Sequence, residues 1–281
     1  MRVTGPGHLL LAASMAGLGI LSLIYRDYAM NWQPVPAWVP WHQVLASASG
    51  ALLLLSGTGL LLKRPAVISA LALTLFMLSW VVLLRLPPLL AAPSTELYWL
   101  GLGETLVLMA GCLSLYAGLR AEAGGTRAGV FVGASGQRIA MYVLAVALPP
   151  IGLSHFFYAD ATAQLVPSWL PLRHGWAYVT GAGHIAAGLA ILLGIAPRLA
   201  AMLEAAMMSI FTLLIWVPKV VTDPTSRFNW TALCVSTALS ACAAIVAQSI
   251  RERVTSASGF TGWRWLQRDY ESQPQSQPRS H

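Results

Sequence analysis

The chain has 281 residues, of which 57% are hydrophobic and only 10% charged, and its mean hydropathy is +0.65. A soluble domain carries about 25% charged residues, so the composition excludes a soluble enzyme and equally a disordered or collagen-like chain. Three cysteines are too few for a disulfide scaffold. What remains is an all-α, polytopic membrane protein.

A membrane-crossing helix needs about 20 mostly apolar residues. Eight stretches qualify: 8–25, 44–62, 66–84, 97–119, 139–157, 175–195, 199–217 and 230–250. The runs are continuous rather than alternating, which excludes strands, and a helix satisfies its backbone polar groups internally. The first run resembles a signal peptide, with Arg2 ahead of it. It ends in Tyr25-Arg26-Asp27 without a small-x-small cleavage site, and is read as a span.

Lys and Arg set the orientation. One set of segments between spans holds twelve of them, among them Lys63, Arg64, Arg120, Arg138 and Arg198. The other set holds five: Arg26, Arg85, Arg173, Lys219 and Arg227. Both termini are therefore predicted cytoplasmic, in the inner (plasma) membrane. The net charge of +7 reflects this bias and not nucleic-acid binding, for which no motif is present. Trp32, Trp38, Trp41, Trp99, Trp169, Trp176, Trp216 and Trp230 fall near the outer span ends, where tryptophan prefers the headgroup layer.

The chain repeats itself with a period of 131 residues. Pro36-Ala-Trp38-Val-Pro40 recurs as Pro167-Ser-Trp169-Leu-Pro171, Gly50-Ala51 as Gly181-Ala182, and Trp99 as Trp230. This predicts two parallel repeats of four helices each, 1–123 and 138–250, related by an axis along the membrane normal. Residues 124–137 are the linker. Residues 251–281 form a tail, in which Phe260, Trp263, Gln267 and Tyr270 share the face of a short interfacial helix. The Pro-x-Trp-x-Pro segments cannot be helix interiors and are expected as extended flaps over the outer bundle ends.

Gly152-Leu-Ser-His155-Phe156-Phe-Tyr, Val166-Pro-Ser-Trp-Leu-Pro171, Thr180-Gly-x-x-His184 and Arg198-Leu-Ala-Ala resemble the DoxX-like four-span membrane proteins. The first half fits the same template through Val35-Pro-Ala-Trp-Val-Pro40 and Ala48-Ser-Gly50, so that the resemblance spans both halves. It implies an inner-membrane location and, for some members, association with quinone-linked or thiol and sulfur redox systems. Relatives commonly carry a glutamate at the position of His184, and the first half carries Leu53 there.

An ionisable side chain deep in a span costs about 2.5–3.5 kcal/mol on insertion scales, so it is usually functional or paired. Glu104, His155, His184 and Glu204 are so placed. For the two histidines the functional reading is a proton relay or hydrogen bonding to a quinone-like head group; the structural one is a bond to a backbone carbonyl. Counted from the helix ends, His184 lies roughly 10 Å deeper than His155, which argues against a bis-histidine haem. No Cys/His spacing supports zinc, so no metal is expected. Glu104 is read as protonated or paired with Arg85, and Glu204 as snorkelling to Arg198. Arg85, Lys219 and Arg227 anchor helix ends or form a basic vestibule. Cys112, Cys234 and Cys242 include no C-x-x-C and read as small core residues.

Three functions follow. The first is a redox-associated subunit with a quinone or similar head group as candidate cofactor, bound by His155, His184 and Glu104 with Trp169 and Trp176 at the entrance. Its partners are the bilayer and a membrane redox subunit. The second is a proton-coupled small-molecule carrier; the third, a non-catalytic scaffold for a partner protein. Whether any reaction is catalysed stays open at this stage.

Overall fold

A computed structural model of the chain describes residues 5–124 and 129–250. The interfacial helix expected in the tail lies outside the described residues. Among those residues the regular structure is entirely helical, and eight helices are long and apolar enough to cross a membrane. They are α1 (Pro6–Tyr25), α2 (His42–Leu60), α3 and α4 as one span (Ala66–Ala91), α5 (Glu96–Glu122), α6 (Gly133–Phe157), α8 (Arg173–Leu193), α9 and α10 as one span (Pro197–Thr222), and α11 (Arg227–Ser249). A short helix, α7 (Ala159–Leu165), and a 3₁₀ turn (Met30–Trp32) lie between spans. Helix α6 begins at Gly133, inside the predicted linker.

The third and seventh spans each contain a π-helical turn, Val81–Arg85 and Thr212–Trp216. The cause is proline. Pro87, Pro88 and Pro218 lack the N–H groups that would bond to the carbonyls of Leu83, Leu84 and Leu214, which lie in those turns. A wider turn accommodates the gap without ending the helix. The last residues of the two turns, Arg85 and Trp216, are both buried.

Elements of the two halves recur at one spacing. Helices α3 and α9 start at Ala66 and Pro197, the π turns at Val81 and Thr212, and α5 and α11 at Glu96 and Arg227, each pair 131 residues apart. The same spacing relates the Trp99 Nε1 bond to Pro93 O and the Trp230 Nε1 bond to Pro224 O. It also relates the left-handed residues Trp41 and Leu172 that lead into α2 and α8.

Helix α1 packs on α2 and α11, while α6 packs on α8 and α5. Helix α3 lies on α5, α9 on α11, and α5 meets α11 at the centre. The first span of each half thus seats against the last span of the other half. The buried core runs along this seam, with Leu11, Met15, Leu108, Cys112, Leu144, Leu148, Cys242 and Ile245 all inside one cluster. At one end of the bundle Arg227, at the start of α11, bonds through Nη1 to Asp27 Oδ2 at 3.0 Å and through Nη2 to Tyr28 O at 2.7 Å. Its guanidinium also lies over the Tyr25 ring, 4.8 Å from the centroid.

The Pro-x-Trp-x-Pro segments are tight turns and not extended flaps. Val39 N–H donates to Pro36 O at 3.1 Å and Leu170 N–H to Pro167 O at 3.0 Å. The proline carbonyl that opens each segment is free to accept, which closes the chain on itself. Trp38 and Trp169 project from these turns and are exposed.

Candidate functional site

The site begins with two Gly-x-x-His sequences, Gly152-Leu-Ser-His155 on α6 and Gly181-Ala-Gly-His184 on α8. The helices run antiparallel, and each glycine lies opposite the other helix's histidine. A Cβ on Gly181 would fall 2.8 Å from His155 Cβ, and one on Gly152 3.1 Å from His184 Cβ and 2.5 Å from Gly181 O. Small residues here let the backbones approach, and the two imidazoles meet with ring centroids 5.0 Å apart. The depth mismatch expected from the sequence is thereby corrected. Helix α8 begins beyond the level at which α6 ends, so depth counted from each helix's own end had no common zero. With ring centroids 5.0 Å apart, the pair leaves no room for a haem macrocycle between the rings.

Both histidines have one ring nitrogen committed. His155 Nδ1 lies 2.9 Å from Ile151 O. A carbonyl only accepts, so Nδ1 carries the hydrogen and the neutral ring keeps its lone pair on Nε2. His184 Nδ1 lies 2.6 Å from Glu204 Oε1. With Glu204 ionised, Nδ1–H donates and Nε2 is again the free position. Glu204 is not drawn to the surface by Arg198, as its distance from the span end had suggested. It is 1% exposed, on the face of α9 turned to α8, and among the described residues its second oxygen has no hydrogen-bond partner. Six residues of helix rise exceed the reach that a glutamate has along its own helix, whereas the neighbouring helix offers an imidazole at contact distance.

The two histidines border one cavity of about 230 Å³. His155, His184, Ser154 and Thr180 form a polar wall. Met207, Met208, Phe211 and Trp216, from the seventh span, form an apolar one. Glu104 of α5 and Trp32 complete it, so the first half of the chain contributes to a site built mainly by the second. A synthetic apolar cavity of about 150 Å³ already holds benzene, so one substituted ring fits this volume.

Trp32 was expected in an outer rim. Instead it turns inward and borders the cavity together with Glu104. Its carbonyl accepts from Arg85 Nη2 at 2.9 Å, while Arg85 Nε donates to Thr105 Oγ1 at 3.1 Å. Arg85 is therefore a buried brace and not an anchor at the span end; the π turn rotates it into the bundle. Its charge acts on Glu104 through space. Trp216, also expected in the rim, is 7% exposed, with the Lys219 ammonium 5.1 Å from its ring centroid. Trp169 and Trp176 are exposed and do not border the cavity; the tryptophans that do are Trp32 and Trp216.

Of the residues singled out in the sequence, the fold brings together His155, His184 and Glu104. Glu204, Trp32, Met207 and Met208 were missed as members of the site. The spacing Glu204, Met207, Met208, Phe211 (i, i+3, i+4, i+7) was the available signal, since it places all four on one helix face. At the 131-residue spacing, the first half holds Ile24, Leu53 and Leu73 where the second holds His155, His184 and Glu204. Leu53 and Leu73 are fully buried. The polar chain is thus present in one half alone.

No curated protein and no solved structure matches the chain. Residues 144–214 match the model of a family described as "Domain of unknown function (DUF8561)", and that stretch contains His155, His184 and Glu204.

Proposed function

We propose that the protein is a DoxX-like, tandemly duplicated subunit of the inner membrane that binds the head group of a quinone or a related lipid. The observation that carries this reading is the cavity bordered by His155 and His184, with ring centroids 5.0 Å apart, and by Glu104 from a different helix. The reduced form of a quinone is flat and apolar at its faces and donates hydroxyl hydrogens at opposite ends. The Nε2 lone pairs and the Glu104 carboxyl group suit those hydroxyls as acceptors, and Met207, Phe211 and Trp216 suit the ring faces. The His155–His184–Glu204 chain would take or supply the protons that accompany quinone reduction, with a membrane redox partner supplying electrons. Both termini are assigned to the cytoplasm on the Lys and Arg distribution.

The test is gentle detergent extraction followed by mass spectrometry of the bound lipids. Copurifying quinone is expected from the parent chain and a loss of at least tenfold from His155→Ala and His184→Ala. Absence of quinone from the parent preparation, with respiration unchanged in both variants, overturns the reading. A second reading, a proton-coupled carrier, is favoured by one observation: Glu104 and His184, the two residues that would couple protons, border the same cavity. Uptake into proteoliposomes that depends on both residues would select it.

A further inference from the structure

The way the two histidines are held resembles a metal site more than a general polar pocket. Histidines that bind metals donate their remaining ring N–H to a carboxylate or a backbone carbonyl, which fixes the tautomer and aims the free nitrogen. Here one histidine does each: His184 Nδ1 to Glu204 at 2.6 Å and His155 Nδ1 to Ile151 O at 2.9 Å. With metal–nitrogen bonds of about 2.0 Å, two imidazoles that share one ion have ring centres roughly 5–6 Å apart. The observed separation is 5.0 Å.

The remaining donors determine which ion. Among the described residues no three His, Cys, Asp or Glu side chains gather as a ligand set, so the donors that zinc or another divalent ion requires are lacking. Thioethers, in contrast, are at hand. Met207 and Met208 border the same cavity, one turn along α9 from Glu204. Met207 Sδ lies against Gly183, the neighbour of His184, where a Cβ would come within 3.1 Å of it. Imidazole suits copper, and thioether sulfur selects its soft, monovalent form. Charge agrees. Glu204 is a carboxyl group 1% exposed, paired with His184, and among the described residues its second oxygen has no hydrogen-bond partner. A single positive charge beside a neutral His184 balances that carboxylate, whereas a divalent ion leaves an excess charge in an apolar cavity.

We infer that His155 Nε2 and His184 Nε2, with a thioether from Met207 or Met208, form a site for one Cu(I) ion, oriented and charge-balanced by Glu204. This goes beyond the quinone reading and does not rest on it. Glu204 is a positioning residue here and does not contact the ion.

The experiment uses the full chain in detergent micelles, with Cys112, Cys234 and Cys242 replaced by Ala so that no thiolate competes. Cu(I) is titrated against a chromophoric Cu(I) chelator, and X-ray absorption at the copper edge reads the ligands. Expected are one equivalent of Cu(I), two nitrogen scatterers and at least one sulfur, which in this background comes from methionine. His155→Ala with His184→Ala should abolish the equivalent. Glu204→Gln, which keeps the volume and a hydrogen bond, should weaken binding 10–100-fold, as loss of an outer-shell partner does. Met207→Leu with Met208→Leu, conservative in volume, should remove the sulfur scattering and lower affinity at least tenfold. Cu(I) uptake equal in the parent and the double-histidine variant, a spectrum without sulfur, or tighter binding of Zn(II) than of Cu(I) each overturns the inference. The quinone assay is separate: lipid loss without any copper binding leaves the quinone reading standing and sinks this one.

Discussion

His184 and Glu204, twenty residues apart on neighbouring spans, are joined by a 2.6 Å contact between Nδ1 and Oε1, with the glutamate side chain fully enclosed. A pair of this kind is costly to bury and costlier to break, because removing one partner strands the other without solvent. Glu204→Ala is expected to destabilise the protein by about 3 kcal/mol, and Glu204→Gln by about 1 kcal/mol, since the amide still bonds to the imidazole. Unfolding titrations in mixed micelles measure both; equal losses would contradict a charge-dependent pair.

The crossing of α6 and α8 depends on the absence of a side chain at Gly152. A Cβ there would fall 2.5 Å from Gly181 O, a backbone atom that cannot swing away. Gly152→Ala should cost about 1–3 kcal/mol by overpacking and separate the two imidazoles. The check is thermal stability together with cysteine crosslinking of His155→Cys to His184→Cys, which should fall in the Gly152→Ala background. Unchanged crosslinking would show that the glycine does not set the distance.

Arg85 braces Trp32, and Trp32 borders the cavity. Arg85→Met keeps the stem but removes the bonds to Trp32 O and Thr105 Oγ1. The stranded carbonyl and the loosened turn should cost about 1–3 kcal/mol. Tryptophan fluorescence from a chain that retains Trp32 should become more quenchable by acrylamide, and Arg85→Lys should restore little, because an ammonium lacks the guanidinium fork.

At the end where the halves meet, burial pulls the Asp27 carboxyl upward. Hydrogen bonds from Arg227, His42 and the Tyr28 N–H, with the Arg227 charge, outweigh this and hold it below its ordinary value of 3.8. A carboxyl group lowered on folding contributes stability that is present above its unfolded pKa and lost as pH falls through the folded one. The clamp should therefore be fully formed at neutral pH, begin to lose its contribution below about pH 4 and be released as pH falls through the lower folded value. With Asp27 44% exposed, the contribution is about 1 kcal/mol or less. Acid unfolding curves of the parent and Asp27→Asn should stay separate at neutral pH and draw together as pH falls below about 4. Curves that are parallel throughout would exclude the linkage.

Much of the architecture was legible in the chain itself. Continuous apolar runs dictate helices, because lipid offers no other partner for the backbone, and their length dictates crossing. The 131-residue spacing of Trp99 with Trp230 is also the spacing between the starts of α3 and α9 and of α5 and α11. His155, His184 and Glu104 stood out because ionisable groups in lipid are expensive. What the sequence could not convey was who faces whom. Helix phase and relative height depend on glycine contacts between spans far apart in the chain, so depth counted along single helices misjudged the histidine pair. Glu204 looked like a residue near a span end until α8 brought an imidazole to it. Proline at 87 and at 218 signalled a disturbed helix, but only the packed bundle turned the resulting π turns so that Arg85 and Trp216 point inward. Local chemistry specified the elements; the close approach of backbones, which depends on several helices at once, assembled the site.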